Sequence, residues 1–195
     1  MDEYAEKILL DQIREGNDRG FESLVQAHSS RTLSLAYRLV GDREEAEDIA
    51  QEAFLRLHRA LPTFRGDSKI STWLYRTVTR LAIDHLRKEK RRRQFFFFRT
   101  DDDEDGFDPV ETAAAPDPSP RDYLLAQEAQ GRLNRVLKKL SPRQRAVFIL
   151  RHQEELPLKE IAHMLELEEG TVKAHLHRAV TILRRELRDL HEVSP

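Results

Sequence analysis

Residues 95–120 are the segment of this 195-residue chain that most limits what it can fold into. They hold eight acidic side chains and one basic one, a net charge of −7. The run Asp101-Asp102-Asp103-Glu104-Asp105-Gly106 is followed by Pro109, Pro116, Pro118 and Pro120. Like charges repel, and proline lacks the N–H that a regular element uses, so the stretch reads as an extended linker rather than a packed element. It separates a first block, residues 1–94 with net charge +2, from a second, residues 121–195 with net charge +3. The overall charge of −2 therefore conceals two mildly basic bodies on either side of an acidic tether.

Both blocks carry apolar residues at intervals of three and four, the helical period. Tyr4, Ile8, Leu9 and Ile13 predict a short helix over 3–15, and Phe21, Leu24, Val25, Leu35, Ala36 and Leu39 a second that Gly41-Asp42 breaks. Asp42 with Glu45 is a capping pair for a helix whose Ala46, Ile49, Ala50, Ala53, Phe54 and Leu57 form one stripe. Pro62 and Gly66 mark a loop, after which Ser71 or Thr72 is expected to cap a long helix towards Arg93. In the second block Leu133, Val136, Leu137 and Leu140 share a face, and Ser141-Pro142 is an N-cap with proline at the first helical position. Pro157 opens a short helix with Leu158, Ile161, Ala162 and Leu165 inward. A turn over Glu166–Glu169 leads to a last helix from about Gly170 with Val172, Leu176, Ala179, Val180, Leu183, Leu187 and Leu190 on one stripe. Seven glycines and eight prolines supply too few turn signals for an all-β chain. The expected fold is all-α, two small helical domains joined by an acidic, proline-containing linker.

Several function classes drop out on composition. The chain has no cysteine, which excludes a disulfide scaffold, a thiolate zinc site and a cysteine nucleophile and suits a reducing cytoplasm. Its longest apolar runs, Phe95–Phe98 and Val147–Leu150, are far too short to span a bilayer, and Met1-Asp2-Glu3 opens no secretory signal. Asp101, Asp103, Asp105 and Gly106 imitate the start of a calcium loop, but the twelfth position is Thr112 and Pro109 falls inside it. His175 and His177 point about 200° apart on a helix and cannot share a metal. No metal and no cofactor is expected. No phosphate loop or nucleophile elbow appears, so enzyme chemistry is not expected either.

Three helices carry chemistry. The last two form a helix-turn-helix pattern, and burying the apolar stripe leaves Thr171, Lys173, Ala174, His175, Arg178, Thr181 and Arg185 on or beside the outward face. Short side chains there permit close approach, while Lys and Arg reach phosphates or guanine edges. The pattern alone equally suits a solvated basic face on a helical bundle. On the helix after Gly66, Leu74, Val78, Leu81 and His85 share one side, and Arg76, Arg80, Arg87 and Arg91 the other, with Trp73 beside them and Ile83 interrupting. Arginines with an aromatic ring suit opened DNA, and a salt-bridged surface helix with a core tryptophan is the alternative. On the Asp42–Leu61 helix, Asp48, Gln51, Glu52 and Leu55 fall at i, i+3, i+4 and i+7, an acidic patch with a leucine that fits a basic partner helix or is simply solvated.

The motifs together resemble the extracytoplasmic-function (ECF) branch of the bacterial sigma-70 family. They are Asp48-Ile49-Ala50-Gln51-Glu52-Ala53-Phe54, Phe64-Arg65-Gly66-Asp67, Thr72-Trp73-Leu74-Tyr75-Arg76, Asp84-His85-Leu86-Arg87, Leu140-Ser141-Pro142-Arg143-Gln144-Arg145, and Gly170-Thr171-Val172-Lys173 with Leu176-His177-Arg178-Ala179. The resemblance implies that residues 1–94 are sigma region 2, which binds core polymerase and opens the −10 element, and that 121–195 are region 4, whose helix-turn-helix reads the −35 element. It implies core contact through Asp48, Gln51, Glu52 and Leu55, and −10 contact through Phe64, Arg65, Asp67, Trp73, Arg76, Arg80 and Arg87. It implies −35 contact through Thr171, Lys173, Ala174, His175 and Arg178. The implied partners are core RNA polymerase, at its beta-prime clamp helices and beta flap, promoter DNA, and an anti-sigma factor, often membrane-anchored; no small-molecule substrate is implied. Three positions depart from the family pattern: Arg80 where Asn is frequent, Glu166 where the turn often has Gly, and Ala174-His175 in place of Ser-Arg.

Two readings of Phe95–Phe98 stand, packing on the first domain, which is preferred, or an exposed patch. The acidic linker either competes with phosphates for the basic domains or is a solvated tether. A dimeric helix-turn-helix regulator with a helical sensor domain is the competing class. The acidic helix and the Trp73–Arg76 helix speak against it.

Overall fold

A computed structural model describes residues 8–10, 12–13, 17–64, 66, 68–97, 131 and 133–192. The acidic run and the four linker prolines, together with Arg65 and Asp67, lie outside the described residues. All regular structure among the described residues is helical, and the chain divides into two units, Met1–Leu86 and Arg87–Pro195.

In the first unit, the Asn17 side chain accepts a hydrogen bond from the Arg19 N–H at 3.1 Å and starts α1, Asp18–Val40. α1 stops where Gly41 turns left-handed at φ 77°, its N–H donating to the Tyr37 carbonyl at 2.7 Å. That backbone suits glycine, since a Cβ there would crowd the following carbonyl. One residue on, Asp42 accepts from the Glu45 N–H at 3.0 Å and caps α2, Arg43–Ala60. Local side-chain chemistry thus sets a corner of two residues between two helices. The corner lets α1 and α2 pack on each other. Leu24, Leu35, Ala36 and Leu39 from α1, and Ala46, Ile49, Ala50, Ala53, Phe54 and Leu57 from α2, are buried in this unit. A 3-10 turn, Leu61–Thr63, with Pro62 at its start, ends α2.

α3 spans Ile70–Phe97, with its residues up to Leu86 in the first unit and those from Arg87 in the second. It starts before Ser71 and Thr72, not at them, because Ile70 is wholly buried and the Trp73 N–H already bonds to the Lys69 carbonyl at 3.1 Å. Ile83, which interrupts the basic face in the sequence, is buried with Leu74, Val78, Thr79 and Ala82. The buried arc of α3 is therefore wider than a single narrow stripe. His85 Nδ1 lies 3.2 Å from Glu45 Oε2 and ties α3 to the first turn of α2.

The second unit contains helical residues 133–138 and three further helices. α4, Pro142–His152, opens with a full capping box. The Ser141 N–H donates to Gln144 Oε1 at 2.9 Å, and the Gln144 N–H donates to Ser141 Oγ at 3.3 Å. α5, Leu158–Leu165, follows Pro157, and Glu166 then takes a left-handed backbone at φ 54°. α6, Glu169–Glu192, comes after two residues outside regular structure. α6 packs on both α4 and α5, as the recognition helix of a helix-turn-helix must. Val136, Leu137, Leu140, Ala179 and Leu183 form one buried cluster, with Leu133, Phe148 and Ile182 against it.

Candidate functional site

On α2 the apolar stripe goes inward and leaves the acidic positions outward. Asp48, Gln51 and Leu55 are exposed and Glu52 is half-buried. Leu55 keeps 47% of its surface open to solvent, unusual for a leucine flanked by buried Phe54 and Leu57. Its exposure leaves an apolar spot beside two carboxylates, which favours contact with another protein. Glu52 Oε1 receives the Arg56 Nε–H at 2.7 Å, so part of its charge is already balanced. The spacing of four that makes this pair is legible in the sequence.

On α3 and the loop before it, Phe64, Trp73, Arg76 and Arg80 are half-buried and Arg87 is exposed. The arginine face is therefore not one solvated stripe. Near the helix start the arginines are partly covered, and at Arg80 the cover reaches Nη2 of the guanidinium, whereas Arg87 stands in solvent. Side chains held in this way lose less freedom when a phosphate or base is bound.

On α6 the described geometry separates the candidates. Thr171, Lys173, Ala174 and Arg178 are exposed, while His175 is half-buried. The Nδ1 of His175 is shut off from solvent and makes no hydrogen bond. Burial is the main reason its pKa lies below the usual histidine value of 6.5, and the positive charges of Arg143 on α4 and Arg178 on α6 add to the effect. His175 is thus held as a neutral imidazole with one nitrogen covered. Glu169, at the head of α6, accepts an ion pair from Lys173 at 2.7 Å, and that bond holds its carboxyl below the usual carboxylate range. Two further residues bear on this face. Glu169 restrains Lys173, which its i,i+4 spacing signals, and Arg143 acts on His175 from a different helix, which no local spacing signals.

The His175 environment has a measurable consequence. A histidine with a depressed folded-state pKa binds protons more readily when unfolded, so its contribution to stability is full above the unfolded value and is lost as pH falls through the folded one. Thermal stability of the protein is expected to drop as pH is lowered below about 6.5, and His175→Gln is expected to flatten that drop. Melting temperatures of both proteins across that range check this, and parallel curves would refute it.

Comparison with known proteins gives these surfaces a family. Residues 24–92 match sigma-70 region 2 and residues 130–183 match sigma-70 region 4. The ECF RNA polymerase sigma factor SigW of Bacillus subtilis is 34% identical over 94% of this chain and 97% of its own. RNA polymerase sigma-H factor of Pseudomonas aeruginosa is 33% identical over 93% of each. Among solved structures, CnrH in complex with the cytosolic domain of CnrY shares the fold, with a TM-score of 0.59, 24% identity and coverage of 98% of this chain and 99% of the other. Two helical units, one bearing an exposed acidic patch on α2 and an arginine-lined α3, the other a helix-turn-helix, thus sit in a chain aligned almost end to end with known sigma factors. The protein belongs to the extracytoplasmic-function group of the sigma-70 family of RNA polymerase sigma factors.

Proposed function

We propose that this sigma factor binds core RNA polymerase through Asp48, Gln51, Glu52 and Leu55 on α2, opens the −10 element with the loop from Phe64 and with α3, and reads the −35 element with the leading face of α6. Residues 1–94 act as region 2 and 121–195 as region 4, with 95–120 as the tether between them. The contacts on the polymerase are the beta-prime clamp helices and the beta flap. An anti-sigma factor holds the protein silent until a stress signal arrives; the sigma factor RpoE of Bartonella quintana is itself known in complex with the anti-sigma factor NepR. The protein works in the cytoplasm, consistent with the finding that no described helix is long and apolar enough to cross a membrane. It performs no bond chemistry of its own. It lowers the barrier to promoter opening by binding opened DNA more tightly than duplex.

The observation that most supports this division of labour is the exposed face of Thr171, Lys173, Ala174 and Arg178 on a helix that α4 and α5 hold from behind. Run-off transcription tests it. Core enzyme with the protein is expected to transcribe a stress-type promoter that core alone ignores, and equal transcription without the protein would end the proposal. Within region 4 the roles are separable. Lys173→Ala is expected to weaken promoter binding on all −35 sequences and reduce its salt slope by about 1, as loss of one phosphate contact does. His175→Ala and Arg178→Ala are expected to change base preference instead, by about 1–3 kcal/mol at the positions they touch. Selection of bound −35 sequences from a random pool measures both, and an identical preference in the double variant would refute the assignment.

A further inference from the structure

We propose that the C-terminal end of α3 is a docking site for an anionic lipid surface, gripped by a collar of cations around the helix and by Phe95 beyond it. Within this segment only Arg87 is among the −10 contacts assigned above, and Arg91 continues the arginine line that Arg76, Arg80 and Arg87 form. The sequence favours packing of the phenylalanine run against the first domain, and the structure contradicts this at the one described side chain. Phe95 exposes 74% of its surface. Moving a bare phenylalanine from water into an apolar phase is favourable, and no described residue covers this one.

The charge around it is arranged as a ring. Arg87, Lys88, Lys90, Arg91, Arg92 and Arg93 are all exposed. At about 100° per residue, Lys88, Arg91 and Arg92 flank Phe95, while Lys90 and Arg93 stand on the other side of the helix. Arg93 is paired with Glu89 at 2.6 Å. Among the described residues Lys88, Lys90, Arg91 and Arg92 carry no ion pair. The six cations, from 87 to 93, occupy about 9 Å of helix axis at 1.5 Å per residue. A bilayer's headgroup layer is about 5–7 Å thick on each face, with hydrocarbon beneath. A cationic collar of that depth, followed by an apolar ring, matches anionic headgroups above acyl chains in both charge and order. A single nucleic-acid strand is followed by cations along one line of the helix, as Arg76, Arg80, Arg87 and Arg91 run, whereas Lys88, Lys90, Arg92 and Arg93 stand off that line and complete a collar. Attachment is peripheral, because no described helix is long and apolar enough to span.

Flotation of the full-length protein with vesicles provides the test. With vesicles of equal parts phosphatidylglycerol and phosphatidylcholine, binding is expected to exceed that to pure phosphatidylcholine by ~10-fold or more and to fall as salt is raised. Arg91→Glu with Arg92→Glu, and separately Phe95→Asp, are each expected to reduce that binding ~10-fold or more. These residues are exposed, so the fold should persist, and circular dichroism verifies it. Phe95→Trp is expected to add an emission component that shifts to the blue on the phosphatidylglycerol vesicles, reporting ring insertion. Failure to bind those vesicles at low salt would overturn the proposal, as would full binding by the Arg91→Glu/Arg92→Glu protein or by Phe95→Asp. A loss of affinity for a single-stranded oligonucleotide in the Arg91/Arg92/Phe95 variants, with vesicle binding unchanged, would also overturn it and reassign the patch to nucleic acid.

Discussion

Replacing Arg76 and Arg80 together by alanine is expected to suppress promoter melting by roughly 10- to 1,000-fold while leaving core binding unchanged. Each phosphate or stacking contact to a single strand contributes about 1–3 kcal/mol, and 1.4 kcal/mol is a factor of ten. The two sites lie four residues apart on one face of α3, so their losses need not add. Both side chains are half-buried, so truncation also removes stem packing. Arg87→Ala supplies the control, since Arg87 is exposed and its loss should touch DNA binding with little effect on folding. Permanganate reactivity of −10 thymines in the assembled holoenzyme measures melting directly. Wild-type reactivity in the Arg76/Arg80 double variant would refute the role of α3.

Reversing charge at Asp48 and Glu52 should have an effect of comparable size at an earlier step. Anchors at a protein interface cost about 2 kcal/mol or more when removed, and reversal adds repulsion from the basic partner helix. Asp48→Lys with Glu52→Lys is therefore expected to weaken core association by roughly 30-fold or more. Glu52→Lys also breaks the 2.7 Å pair with Arg56 and places like charges four residues apart. That local penalty is about 0.5 kcal/mol, too small to unfold α2. Leu55→Asp probes the apolar spot without touching either carboxylate. Competition for core against a labelled reference sigma factor gives the affinities, and an unchanged value in the charge-reversed protein would refute this surface.

Much of the scaffold is written in short-range chemistry. Asp42 capping α2, Gly41 closing α1, the Ser141-Gln144 box and the proline before α5 each act over four residues or fewer, so a reader of the sequence sees cause and effect together. The period of α2 places Asp48, Gln51 and Leu55 outward because its stripe Ala46, Ile49, Ala50, Ala53, Phe54 and Leu57 is unbroken. Where periodicity weakens, the reading weakens with it. On α3, Ile83 interrupts the arginine face in sequence, and only its burial explains it. Arg145 makes the same point from the polar side. A charged side chain is ordinarily solvent-facing, yet Arg145 is 2% exposed, and burial lowers its pKa to about 10.

Short-range patterns in the chain account for the helices from α1 to α6, most of their caps, and the residue types each outward face presents. Long-range packing sets the start of α3 at the buried Ile70, leaves Phe95 in solvent, and covers one nitrogen of His175 within reach of the charge on Arg143 of another helix. Capping and periodicity depend on neighbours within one or two turns. Exposure and pKa depend on which distant residues remove water from a group and which charges they bring, and those arrive only when the helices pack.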